Sequence, residues 1–211
     1  MMSTDGAALE KAGLRKKRVG PWAMFFKGFL KHPVMVGSVI PSSDTLIAAM
    51  LDRVDWKACS LFVEYGPGVG TFSRAILEHM APDATYIAID TNPDFIEYLA
   101  SEIADSRFIP VLGSASDVLD IIRQHGFEHA DYILSGLPFS TLPDGVGPAI
   151  AANTESALRI GGAFLVYQYS PKVRAFIAPH FNKIDHDMVW WNIPPAQLYW
   201  AWKEDSNAPS A

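Results

Sequence analysis

The chain has 211 residues, 49% of them hydrophobic and 12% aromatic, enough for one core of ordinary α/β size. A single cysteine, Cys59, excludes an internal disulfide framework; no Cys/His cluster has zinc-finger spacing, and no run approaches the ~18 consecutive apolar residues of a membrane span. The net charge of −6 is unevenly spread: seven of the 17 basic residues lie between positions 11 and 43, where no acid occurs, and setting these aside with Asp5 and Glu10 leaves 10 basic against 21 acidic residues, a body that repels phosphate backbones and disfavours nucleic acid as a partner.

The N-terminus has no apolar run followed by a small-residue cleavage site, so a cytoplasmic chain is expected. Residues 1–41 form a basic, amphipathic extension. Lys16, Lys17 and Arg18 lead into Gly20-Pro21, after which Trp22, Phe25, Phe26, Phe29 and Leu30 recur at helical spacing until Pro33. Such a helix has two uses: packing on the domain, or resting on an anionic membrane through its cations and aromatic rings. Pro41-Ser42-Ser43 then supplies an N-cap for a helix carrying Leu46, Ile47, Met50 and Leu51.

From Ser60 short apolar runs alternate with helical periods, the pattern of a parallel sheet covered on both faces. Strands are predicted at 60–65, 85–89, 107–112, 131–135 and 162–169, and helices at about 71–80, 93–103, 116–125, 145–159 and 171–179. Two further strands, 183–191 and 197–202, flank Asn192-Ile193-Pro194-Pro195 and read as a terminal hairpin. The fold expected over 42–203 is a Rossmann-like, doubly wound α/β sheet of seven strands, followed by a flexible tail over 204–211.

Glu64-Tyr65-Gly66-Pro67-Gly68-Val69-Gly70 closes the first strand and opens a helix, where glycines let a ligand approach the backbone. Asp90 ends the next strand, twenty residues after Gly70, the position from which a carboxylate holds the two ribose hydroxyls of an adenosine cofactor. A nicotinamide dinucleotide uses a related loop, but its G-x-G-x-x-G pattern requires glycine where Thr71 stands.

The arrangement resembles the class I S-adenosylmethionine-dependent methyltransferases. That resemblance implies that Glu64, Tyr65, Gly66, Gly68 and Gly70 surround the methionine portion of the cofactor, that Asp90 and Thr91 lie at its ribose, and that Ser114 and Ala115 lie at its adenine, with Ser42, Ser43 and Ser135 also in the cofactor site. Where amino-methylating relatives carry an Asn/Asp-Pro-Pro-Tyr-like loop, this chain has Ser135-Gly136-Leu137-Pro138-Phe139, so Leu137, Pro138 and Phe139 are expected at the substrate. Phe29-Leu30-Lys31-His32-Pro33, Val36-Gly37-Ser38, Tyr167-Gln168-Tyr169 and Asn192 to Ala196 extend the similarity to the bacterial phospholipid N-methyltransferases. This implies methylation of phosphatidylethanolamine toward phosphatidylcholine by a monomer held peripherally on the inner face of the cell membrane, without a metal. Tyr167, Tyr169 and His180 are candidate catalytic residues. Trp190 and Trp191 offer ring faces to a cationic headgroup. A ribosomal RNA adenine N-methyltransferase, and a non-catalytic cofactor-binding or membrane scaffold, remain the alternatives.

Overall fold

The computed structural model describes residues 44–190 and 195–205. In chain order the elements are α1 (Asp44–Leu51), β1 (Leu61–Tyr65), α2 (Ser73–His79), β2 (Thr85–Asp90), α3 (Pro93–Glu102), β3 (Phe108–Leu112), α4 (Val118–Gln124), β4 (Ala130–Ser135), α5 (Val146–Ala157), β5 (Leu158–Gln168), α6 (Val173–Ile177), β6 (Lys183–Val189) and β7 (Ala196–Trp202). Single 3-10 turns precede α4 and α5. The strands form one sheet in the order β3-β2-β1-β4-β5-β7-β6. The first five are parallel, and β7 runs antiparallel to both β5 and β6. This is the seven-stranded, doubly wound α/β architecture expected, with its terminal hairpin. No helix among the described residues is long and apolar enough to cross a membrane.

Side chains alternate across the sheet and so divide the core in two. Leu61, Val63, Tyr65, Ile133 and Phe164 face α4, α5 and α6. Phe62, Tyr86, Tyr132, Leu134 and Trp200 face α1, α2 and α3. All five residues of β1 are buried, as its uninterrupted apolar run requires of a central strand covered on both faces. Each fully buried large side chain contributes about 1.5–3 kcal/mol. Helix α3 starts where the sequence says it should, with the Asn92 side chain accepting from the Asp94 amide at 3.0 Å and Pro93 in the first turn.

Several boundaries differ from the sequence reading, among them three at the ends of α5, β5 and β6. Helix α5 stops at Ala157 rather than 159, and β5 begins at Leu158 rather than 162, because Leu158 extends to pair with Ala130 before the ladder shifts register at Tyr132. Strand β6 ends at Val189, with Trp190 already in the turn.

The amino edge of the sheet, where the parallel strands begin, is held by one carboxylate. Asp131 Oδ2 accepts from the amides of Ser60 and Leu61, each at 2.8 Å, while Oδ1 takes the Nε–H of Arg159. Cys59 lies buried beside this cluster, and burial, helped by Asp131, pushes its thiol up to about 12. Asp131→Ala would leave two amides and a guanidinium without their acceptor, so urea unfolding should show a loss of about 3 kcal/mol with the far-ultraviolet dichroism unchanged. Asp131→Asn, which keeps one acceptor oxygen, should lose less.

Candidate active site

Strand order reverses between β2-β1 and β4-β5, so the crossovers leave β1 in opposite directions and a crevice opens at the carboxyl edge between them. Gly66, Gly68 and Gly70 turn the chain there, all with positive φ. They are not equivalent. A β-carbon at Gly70 would lie 2.8 Å from Leu99 Cδ2 and 3.1 Å from Ser73 Oγ, so this glycine lets α2 pack close to α3. A β-carbon at Gly68 would meet nothing within 4 Å, so it is the left-handed backbone (φ +57°) and not packing that favours glycine there, and the space above it is open.

The crevice encloses about 330 Å³, part of it open to solvent, and is lined by Tyr65, Gly66, Ile89, Asp90, Thr91, Gly113, Ser114, Ala115, Leu137 and Ile150. Ile89, Ala115, Leu137 and Ile150 make apolar walls. Asp90 carries the one carboxyl among these residues and is buried. Burial raises its pKa, while the amides of Asn92, Gly68 and Thr91 oppose the shift; Asn92 N donates to Oδ1 at 2.8 Å. Asp90 thus ties the glycine turn to the end of β2.

The structure brings Tyr65, Gly66, Asp90, Thr91, Ser114, Ala115 and Leu137 to one crevice. The Tyr65 hydroxyl is engaged by Thr154 at 3.2 Å, and the Ser114 hydroxyl caps its own turn by accepting from Ser116 N at 3.2 Å. Glu64 is placed elsewhere. Next to Tyr65 in a strand, its side chain points to the opposite face, where the carboxyl accepts from the Tyr86 hydroxyl, itself 3.0 Å from Ser73 Oγ. Ser135 is fully buried, its hydroxyl accepting from Leu137 N at 3.2 Å. The Phe139 ring does not lie over the crevice but packs in the core against Phe164 and Phe176. Pro138 is half-buried in the same loop.

Tyr167 lies near the end of β5 and Tyr169 just after it, at the carboxyl edge, Tyr167 with its ring against Phe72 at 5.0 Å. Trp190, 70% exposed, follows β6 at that same edge, where Val189 pairs with Ala196. His180 instead lies in the turn between α6 and the start of β6, whose first residue pairs with Trp202 at the level of Ala163, toward the opposite edge. Ser42, Ser43, Trp191 and the whole N-terminal set, Lys16, Lys17, Arg18, Trp22, Phe25, Phe26 and Phe29, lie outside the described residues. Sequence reasoning missed Ile89 and Ile150 as lining residues, while Gly113 opens the Gly113-Ser114-Ala115 stretch expected at adenine. Ile89 immediately adjoins Asp90, whereas nothing in the local pattern around Ile150 marks it. Among the described residues no three His, Cys, Asp or Glu side chains group as metal ligands would.

No protein-family model matches the chain. Its fold is similar to that of a Burkholderia thailandensis 1,6-didemethyltoxoflavin-N1-methyltransferase solved with S-adenosylhomocysteine, with a TM-score of 0.61, 19% identity and 87% of each chain covered. Two curated relatives are an ornithine lipid N-methyltransferase of Singulisphaera acidiphila, 29% identical over 178 residues (83% of this chain, 93% of that protein), and a ribosomal RNA small subunit methyltransferase H of Delftia acidovorans, 32% identical over 101 residues (48% of this chain, 28% of that protein). In sheet order and crevice the chain is similar to these S-adenosylmethionine-dependent methyltransferases, and it shares the fold of the solved one. The likeness to the ornithine lipid enzyme runs along nearly the full length, whereas the chain spans little more than a quarter of the ribosomal RNA enzyme.

The residues present fit S-adenosylmethionine. The open space over Gly68, the carboxylate of Asp90 and the apolar walls around Ala115 and Ile150 match a charged sulfonium tail, a ribose diol and a flat adenine respectively.

Burial raises the Glu64 carboxyl from its ordinary 4.5 to about 7, against the lowering effect of the Tyr86 hydroxyl. An acid that holds its proton more tightly when folded stabilises the fold in full below about 4.5 and loses that contribution as pH rises to about 7. Glu64→Gln should therefore gain on the wild type across this interval by up to about 3 kcal/mol, read as the difference between urea midpoints at pH 4.5 and 7.5.

Proposed function

We propose that the protein methylates the amino group of a membrane lipid headgroup, with phosphatidylethanolamine and its mono- and dimethyl forms as substrates on the way to phosphatidylcholine. The near full-length likeness to a lipid N-methyltransferase carries this reading. The loop after β4, where the sequence resembles phospholipid N-methyltransferases, adds support through its position: Leu137 forms part of the crevice wall.

S-adenosylmethionine, when bound, supplies a methyl group activated by the adjacent sulfonium. The chain's part is to align and to exclude water. Asp90 holds the ribose hydroxyls, the glycine turn admits the methionine portion, and Leu137 and Ile150 keep the inner crevice dry. A primary ammonium titrates near ~10, so the headgroup must lose a proton before its lone pair can attack. Asp90, the one carboxyl among the described lining residues, is committed to the ribose, and water takes the proton in this reading.

The N-terminal extension is assigned to the membrane surface on its sequence alone. Its cations contribute up to about 1 kcal/mol each near anionic lipid, and Trp22, Phe25, Phe26 and Phe29 supply interfacial area. A second reading, methylation of ribosomal RNA, draws on the relative from Delftia acidovorans. It fits poorly with a body of 10 basic and 21 acidic residues.

Thin-layer analysis of lipids made with labelled donor should show methylated phosphatidylethanolamine, and ornithine lipid vesicles and transcript RNA in parallel reactions decide between the headgroups and the RNA reading. Asp90→Ala and Gly68→Val should each weaken donor binding at least tenfold by calorimetry, since each removes a charged acceptor or fills the open space of the turn. Deletion of residues 1–31 should release the protein from anionic vesicles in a sedimentation assay; undiminished pelleting would assign the extension to packing.

A further inference from the structure

The loop after β4 satisfies most of its polar groups internally. The Leu137 carbonyl accepts from Phe139 N at 2.9 Å and from Gln168 Nε2 at 2.6 Å. The Pro138 carbonyl accepts from Thr141 N at 2.9 Å and Thr141 Oγ1 at 3.0 Å. These groups are therefore unavailable to orient a substrate amine, the task that such a loop performs with free carbonyls in amino-methylating enzymes. Another group stands at that place. A β-carbon built on Gly136 would fall 2.5 Å from the Tyr167 hydroxyl and 3.3 Å from the Gly66 carbonyl, so the phenol oxygen sits where the glycine turn of β1 meets the loop of β4, beside Gly66 and Leu137 of the crevice wall.

The phenol is held but not used by the fold. Its ring lies against Phe72, and its backbone is locked in the ladder opposite Leu198. Among the described residues no hydrogen bond engages the hydroxyl, and no buried polar side-chain atom there lacks a partner, so the oxygen of this half-buried side chain keeps some exposed area. Burial, with Glu64 and Tyr169 nearby, pushes its pKa well up, and the phenol stays neutral at neutral pH.

We propose that the Tyr167 hydroxyl oxygen accepts an N–H of the substrate amine and thereby aims the nitrogen lone pair at the methyl group; this rests on the amine-methylating reading above. A phenol so hard to ionise is a positioning acceptor and not the base. The ammonium proton passes to water first; then the nitrogen–carbon bond forms as the sulfur–carbon bond breaks, its electron pair staying on sulfur. A primary and a secondary amine each carry an N–H for the phenol, and a neutral tertiary amine carries none. Tyr167 therefore serves the first two methyl transfers and not the third.

The test compares the full-length wild type with Tyr167→Phe on vesicles of phosphatidylethanolamine, its monomethyl form and its dimethyl form, presented separately, with donor affinity measured by calorimetry. The variant should bind donor as the wild type does, slow the first and second transfers roughly ten- to hundredfold in kcat, and leave the third within twofold. An equal loss on all three headgroups would mean a structural role and overturn the assignment, as would no loss on any. A wild type that binds donor but methylates none of the three overturns the phosphatidylethanolamine reading and this assignment with it, an outcome distinguishable from the other two.

Discussion

A parallel sheet whose strand order reverses cannot be closed by its own crossovers at the point of reversal, and the rest of this molecule follows from that constraint. Strand β1 sends its chain toward β2 on one side while β4 and β5 build away on the other. Tyr65 at the end of β1, Asp90 at the end of β2 and Leu137 just after β4 are left facing a common opening. Glycine at 68 keeps that opening clear, and Asp90 binds the turn to the neighbouring strand. The binding site is a property of topology first and of side chains second.

The two edges of the sheet divide the labour. At the amino edge Asp131 gathers two amides and Arg159, and the paired Gly161 and Lys203 backbones close the adjoining strand ends, Gly161 N to Lys203 O at 2.7 Å. These bonds tie β1, β4, β5 and the end of β7 together. At the carboxyl edge the loop after β4 satisfies its own carbonyls, and the Tyr167 hydroxyl takes no part in that bonding. Rigidity at one end is what permits specific but open geometry at the other.

The sequence made the five parallel strands and the hairpin legible because each is a short apolar run bounded by glycine, proline or a charged cluster, and burial on both faces leaves little freedom in where such runs go. Leu158 was harder: its helical period is real, but pairing with Ala130, a tertiary event, overrides it. The crevice was legible at the glycine turn and at Asp90, whose spacing carries information. The side on which Glu64 points was also within reach, since neighbours in a strand face opposite ways and Glu64 cannot share a face with Tyr65. Phe139 and Ile150 were not readable. Whether a ring enters the core or a crevice depends on Phe164 and Phe176, which are distant in sequence and adjacent only once the sheet has formed.

Cys59 gives the molecule a chemical silence. It is the chain's single sulfhydryl, enclosed beneath the amino edge and, with its ionisation pushed to about 12, almost never a thiolate at neutral pH. Thiol-alkylating reagents thus find no competing target, and a cysteine introduced in place of the exposed Trp190 would take up a fluorophore alone. The native protein is in this sense already prepared for optical measurement of whether that surface approaches a bilayer.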